Sequence, residues 1–247
     1  MLAGTVLEGT RKPLRWWMRA MWWVATQKSG LSAKAFAREM GVSSSKTAWT
    51  WLHKLRRCMV RIGRAPLSGR VEVDETSIGG EEPGYRGRWI ETKALVVIAA
   101  EEDGKGIGRI RLAHIPDASA ASLIPFVVEA VAPGSVIHTD GWLGYTRLAA
   151  KGFTHEVSII APEPQRASAL LPRVHRVAAL LKRWLLGTHQ GAVSNKHLQR
   201  YLDEYTFRFN RRRWRHPGKL FFRLAQQVVA TKRTTYRALV DSQEPPQ

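Results

Sequence analysis

A single cysteine, Cys58, stands among 247 residues, so neither a disulfide framework nor a multi-cysteine zinc site can be built within this chain. Acid is scarce too. Twenty aspartates and glutamates face 39 lysines and arginines, a net charge of +19, so an anionic polymer is the expected partner. Long hydrophobic runs are missing as well: the most apolar stretch near the start, Trp16 to Ala25, is broken by Arg19 and falls short of the roughly 20 residues a bilayer span requires. No signal-peptide pattern, internal repeat or low-complexity tract is present, and the expected location is the cytoplasm.

What is there is unevenly charged. Residues 1–70 hold 14 basic and 2 acidic side chains, residues 71–160 hold 8 and 13, and residues 161–247 hold 17 and 5. An acidic centre between two basic wings suits an enzyme that holds Mg²⁺ with carboxylates while gripping phosphates; a passive binder would gain nothing from it. With 44% apolar residues the chain can bury the core of one large domain and a small one.

Pro13 to Gln27 reads as a helix opened by proline, with Trp16, Trp17, Met21, Trp22 and Trp23 on its apolar face, taken as core rather than as a base-stacking surface. Ser32 is a good N-cap for a second helix carrying Ala33, Phe36, Ala37 and Met40. After Gly41-Val42-Ser43 a third helix runs from about Ser44 to Ile62. Together they form a helix-turn-helix pattern, in which Ser44, Ser45, Lys46 and Thr47 reach bases or phosphates while Ala48, Trp51, Leu52 and Leu55 face the bundle. Arg56 and Arg57 are further candidate phosphate contacts. The expected boundaries are a helix-turn-helix domain at 1–63, a linker at 64–69, a catalytic domain at 70–215 and a basic helical tail at 216–247.

Beyond the linker the period becomes that of strands. Arg70 to Ile78 alternates, Gly79 to Gly87 reads as a turn or flexible loop, Lys93 to Ala100 is a buried apolar run, Glu101 to Gly106 a charged hairpin turn, and Ile107 to Ile115 alternates again. A helix at Ser119 to Val131, a strand at Ser135 to His138, a short helix at Leu143 to Lys151 and a strand at Thr154 to Ile159 follow. Ala161 to Pro172 is an irregular connector, and Val174 to Leu186 and Ser194 to Phe209 are helices. The fold class is α/β, with the order βββαβαβ and then helices.

Asp74 lies in the first strand and Asp140 closes the fourth, so both carboxylates reach the same sheet end if the strands are neighbours. His175 and Lys182 lie seven residues apart on one helix, nearly on the same face. That is the outline of a metal-dependent phosphoryl-transfer site. Glu72 shares the strand face of Asp74 and is a candidate auxiliary acid, whereas Glu75 points the other way. Taken singly, Asp74 reads as a solvent-face acid, Asp140 as a turn former, and His175 and Lys182 as a solvated helix face.

The strand and helix order resembles the ribonuclease-H-like fold. The motifs Val71-Glu72-Val73-Asp74-Glu75-Thr76, Gly79-Gly80, Thr139-Asp140-Gly141-Trp142 with Tyr145, Leu181-Lys182-Arg183, Gly187-Thr188-His189, Lys196 to Leu202 and Phe207 to Arg211 are similar to those of bacterial insertion-sequence transposases, specifically insertion-sequence family 1595. The resemblance extends over nearly the whole chain. It implies a DDE-type DNA transposase in which Asp74, Asp140 and His175 hold Mg²⁺, or Mn²⁺ given the softer imidazole, and Lys182 trails the triad. It further implies double-stranded DNA, both the element's terminal inverted repeats and the target, as partner, bound by a homo-oligomer. Lys182, Arg183, Arg211, Arg212 and Arg213 join the candidate DNA contacts. The cysteine-rich zinc ribbon of the family's longer members has no counterpart here. A catalytically inactive DNA-binding derivative, or a related nuclease on the same fold, stays open as an alternative.

Overall fold

The computed structural model describes residues 2–61, 63–79, 93–158, 170–190 and 193–241. The turn expected over Gly79 to Gly87 lies, past Gly79, outside the described residues, and so does the connector expected at 161–172 as far as residue 169. The chain divides into a sheet unit, residues 65–186, and a helical unit formed by residues 1–64 and 187–247.

In the sheet unit, alternation of Val71 and Val73 with Glu72 and Asp74 gives a strand two different faces. This is β1 (Arg70–Ile78), which pairs antiparallel with β2 (Ala94–Asp103), itself antiparallel to β3 (Gly106–Ile115). On its other side β1 runs parallel to β4 (Val136–Thr139), which is parallel to β5 (Thr154–Val157). The order β3-β2-β1-β4-β5, with its orientations, is the ribonuclease-H-like arrangement. The charged hairpin is tighter than expected, because β2 continues through Glu101 and Glu102 to Asp103 and turns at Gly104.

The helix α4 (Ala120–Ala130) covers one sheet face, where Leu123 and Val127 join Val71, Val73, Val97, Ala99 and Ile137 in one core. Between β4 and β5 two 3₁₀ turns, Leu143–Tyr145 and Ala149–Lys151, stand in place of the short helix expected there. Tyr145 and Leu148 are drawn into the same core from these turns. A long helix, α5 (Pro172–His189), carries both His175 and Lys182.

The helical unit begins with α1 (Leu14–Thr26), α2 (Ala33–Met40) and α3 (Ser45–Arg57). Ser32 Oγ accepts from Ala35 N and Ser44 Oγ from Thr47 N, the capping that their position ahead of each helix predicts. Gly41 ends α2 at φ +62, a conformation favouring glycine. The third helix ends at Arg57, short of the expected Ile62. Trp17 stacks on Trp51 at a centroid separation of 4.2 Å, so those two tryptophans are core, whereas Trp22 is exposed.

The expected catalytic domain reaches residue 215, while the compact sheet unit ends at Leu186. Three late helices, α6 (Leu198–Phe209), α7 (Pro217–Ala230) and α8 (Tyr236–Asp241), belong to the helical unit. Phe207, Leu224 and Val228 share a core with Trp17, Phe36, Trp51 and Leu55, and the bridge between Thr5 and Lys232 ties the two chain ends together. Arg208 donates to the carbonyls of Val24 and Gln27 at the end of α1, satisfying acceptors a helix terminus leaves open.

His53 and His189 are buried in this unit. Desolvation first, then Arg56, lowers His53 to about 2, with His197, Arg200 and His189 adding to it; desolvation and Arg56 lower His189 to about 4. Both imidazoles are therefore neutral in the folded protein, and the unfolded chain, with histidine at 6.5, binds more protons as the pH falls. Stability drops below pH 6.5, by about 1.4 kcal/mol per unit of pH for each histidine, until about pH 4 for His189 and about pH 2 for His53. Urea unfolding followed by tryptophan fluorescence should show a falling midpoint between pH 7 and 5. A constant midpoint over that interval contradicts it.

Candidate active site

Because β1 and β4 are parallel neighbours, their carboxyl ends lie at the same sheet edge. Arg70 pairs with Val136, Val71 with Ile137 and Glu72 with His138, and the same offset carried two residues on sets Asp74 level with Asp140. Asp74, within β1, and Asp140, just past the end of β4, thus stand on neighbouring strands, which run about 4.8 Å apart. Asp74 Oδ1 accepts from Glu75 N at 2.8 Å, and Asp140 Oδ1 accepts from Trp142 N at 3.0 Å.

The turn after Asp140 is tightly specified. Gly141 has φ +84, and a Cβ there would lie 2.8 Å from Val157 Cγ1, so both conformation and space require glycine. The Trp142 indole donates to Ala118 O at 2.7 Å, fixing the corner to the segment ahead of α4.

The third member arrives on α5. His175 Nε2 is 3.7 Å from Asp74 Oδ2, and among the described residues this buried nitrogen has no hydrogen-bond partner. A buried imidazole nitrogen without a partner is costly unless something else binds it, and a divalent ion is one such group. The donor set of two carboxylates and one imidazole fits a divalent cation by chemistry. Among the described residues, however, no three His, Cys, Asp or Glu side chains are gathered closely enough to hold an ion; the preformed part is the Asp74–His175 pair.

Two acids flank Asp74 and do different work. Glu72, expected as an auxiliary acid, is 1% exposed and engaged: it accepts from the backbone N–H groups of Arg173 and Val174 and pairs with the Arg173 guanidinium at 2.8 Å. Arg173 also donates to the carbonyls of Gly104 and Gly106. Glu72 therefore anchors the first turn of α5, which sets His175 over Asp74. The sequence carried a signal for this: an arginine in a helix's first turn opposes the helix dipole and calls for a nearby acid.

Glu75 does face the other side, where the buried Tyr145 hydroxyl donates to its Oε2 at 2.8 Å. The Tyr145 phenol is pushed well above its ordinary range, by burial, then by Glu75, and further by Asp74 and Asp140. One hydroxyl thus lies within electrostatic reach of three carboxylates and stays protonated. A buried tyrosine usually finds a partner, which is how Glu75 could have been singled out.

Lys182 is exposed on α5; its ammonium is held below the usual lysine value by partial desolvation and by Lys93. Lys93, ahead of β2, was not foreseen and adds a second cation near Lys182. Arg183 is exposed too.

The remaining candidate DNA contacts divide. Ser45 and Lys46 are exposed at the start of α3, with Lys46 Nζ 4.3 Å from the Tyr236 ring centroid; Ser44 is the cap and Thr47 donates to it. Arg57 is half-buried. Arg56 is a correction: only 2% exposed, it pairs with the equally buried Glu204 at 2.7 Å and lies over the Tyr201 ring, so it is core and unavailable to phosphate. Arg212 and Arg213 are exposed, while Arg211 lies against Phe207 and donates to its carbonyl.

Residues 66–210, well over half of the chain, match the ISXO2-like transposase domain. No curated protein matches the chain. Among solved structures it is similar to a simian T-cell lymphotropic virus intasome in complex with PP2A regulatory subunit B56 gamma, with 13% identity and a TM-score of 0.40 over 85% of this chain and 72% of that one. It is also similar to the Mos1 strand transfer complex, with 14% identity and a TM-score of 0.25 over 90% and 81%. A pre-cleavage Mos1 transpososome gives 15% identity and 0.24 over 92% and 82%. These likenesses are distant.

Proposed function

Since the chain belongs to the family defined by the ISXO2-like transposase domain, we propose that it cleaves DNA at the ends of its insertion sequence and joins the freed 3′-hydroxyls to target DNA. In the first step water attacks a phosphodiester and a 3′-oxygen leaves. In the second that 3′-hydroxyl attacks a target phosphodiester, forming one bond and releasing one target 3′-hydroxyl. The observation that carries the reading is the His175 imidazole 3.7 Å from Asp74, with Asp140 just past the end of the neighbouring parallel strand.

Asp74 and Asp140 would hold divalent cations, Mg²⁺ or Mn²⁺, with His175 as the third donor. Bound there, such ions would polarise the scissile phosphate and stabilise the leaving oxygen. The protein's own groups orient the reactants. Glu72 and Arg173 keep α5 in register with β1, Tyr145 holds Glu75 on the opposite face, and the Lys182 and Lys93 ammoniums offer point charges to phosphate. The exposed start of α3 and the basic segment after α6 supply further phosphate contacts, consistent with the +19 charge.

Both ends of an element must be brought together, so assembly as a homo-oligomer on DNA belongs to the proposal, as does a cytoplasmic location. Among the described residues no helix is long and apolar enough to cross a membrane.

The test is incubation of the purified protein with duplexes bearing the element's own ends, with Mg²⁺ or with chelator, followed by denaturing electrophoresis. Cleaved and joined products that appear only with the metal are expected. Tight binding without any product would leave a DNA-binding derivative without catalysis; cleavage without joining would leave a nuclease.

A further inference from the structure

The segment that links α6 to α7 forms two adjoining open clefts whose aromatic walls have no part in the phosphate contacts proposed above. One, of about 510 Å³, is lined by Arg213, Trp214, Arg215, His216 and Lys219. The other, of about 360 Å³, shares Trp214 and Lys219 and adds Phe222 and Arg223. Among the described residues no acid lines either cleft. The aromatic wall is open: Trp214 is 39% and Phe222 62% exposed, in a chain that buries Trp17 and Trp51 against each other. The Trp214 backbone N–H donates to Arg211 O, and the Arg211 guanidinium lies 5.7 Å from the Trp214 ring centroid.

Exposed rings between cations match a particular anion. A paired duplex stacks its bases inside and offers only phosphates to such a wall, leaving the ring faces without a partner. An unpaired nucleotide offers a base face and a phosphate together. Each cleft lies within the roughly 300–1,000 Å³ typical of small-ligand sites.

We propose that these clefts bind unpaired nucleotides of DNA, the base stacking on Trp214 or Phe222 and the phosphate resting against Lys219, Arg213 and Arg215. This rests on DNA being the partner. It adds a preference for single-stranded segments, such as those at a frayed or cleaved end, to the general attraction for duplex.

The test measures anisotropy of a labelled blunt duplex and of the same duplex carrying a short 3′ overhang, at equal salt, with the full chain and its variants. The wild type is expected to favour the overhang. Trp214→Ala should weaken overhang binding about tenfold, the scale of one lost base stack, and leave the blunt duplex within about twofold. Trp214→Phe, which keeps a ring, should restore most of the difference, and Lys219→Ala should weaken both duplexes and flatten the salt dependence. Equal wild-type affinity for the two duplexes overturns the inference but leaves DNA as the partner. An equal loss on both with Trp214→Ala does the same. Failure to bind either duplex overturns both.

Discussion

Asp74→Asn is expected to abolish cleavage and joining, lowering the rate by at least about 10³-fold, because removing a metal-binding carboxylate forfeits several kcal/mol of charge stabilisation in the transition state. The amide is nearly isosteric and keeps an oxygen for the Glu75 N–H, which now donates to Asp74 Oδ1. The fold and the DNA affinity should therefore stay close to those of the wild type. Measured with end-bearing duplexes and Mg²⁺, the variant should bind and form no product. If it cleaves at a tenth of the wild-type rate or faster, Asp74 is not a metal ligand and the site lies elsewhere.

Glu72→Ala should cost about 3–5 kcal/mol of stability in the sheet unit, the range for breaking a buried ion pair by removing one partner. The loss would leave the N–H groups of Arg173 and Val174 without their acceptor and the Arg173 guanidinium short of its closest carboxylate. Arg173 keeps Glu102 at 3.1 Å, which places the effect towards the lower end. Glu72→Gln keeps one acceptor and should cost about 1–3 kcal/mol. Since Glu72 sets α5 and hence His175, cleavage at saturating DNA should fall in both variants, more in Ala than in Gln, with affinity for DNA preserved. Unfolding of Glu72→Ala at the wild-type urea midpoint would show that the first turn of α5 is held by something else.

The positions of Asp74, Asp140, His175 and Lys182 along the chain were legible because each lies in a pattern with a short period. Alternation marks β1, an Asp-Gly corner ends β4, and a spacing of seven marks one helix face. The roles of Glu72, Arg173 and Arg56 were not legible, because exposure and charge look alike in a sequence until partners are known. Arg56 finds Glu204, 148 positions away, and Glu72 finds Arg173, 101 positions away. Basic residues that composition assigns to nucleic acid are thus partly used to close the protein's own cores.

By itself, the sequence determined the α/β class, the three-helix start and the strand order along the chain, since hydrophobic period, caps and turns act over a few residues. The tertiary structure alone decided that β4 lies beside β1, and that α6 and α7 share one core with α1, α2 and α3. Those outcomes depend on which distant apolar faces and charges meet. Burial selects among many locally equivalent pairings, and no local pattern encodes the choice.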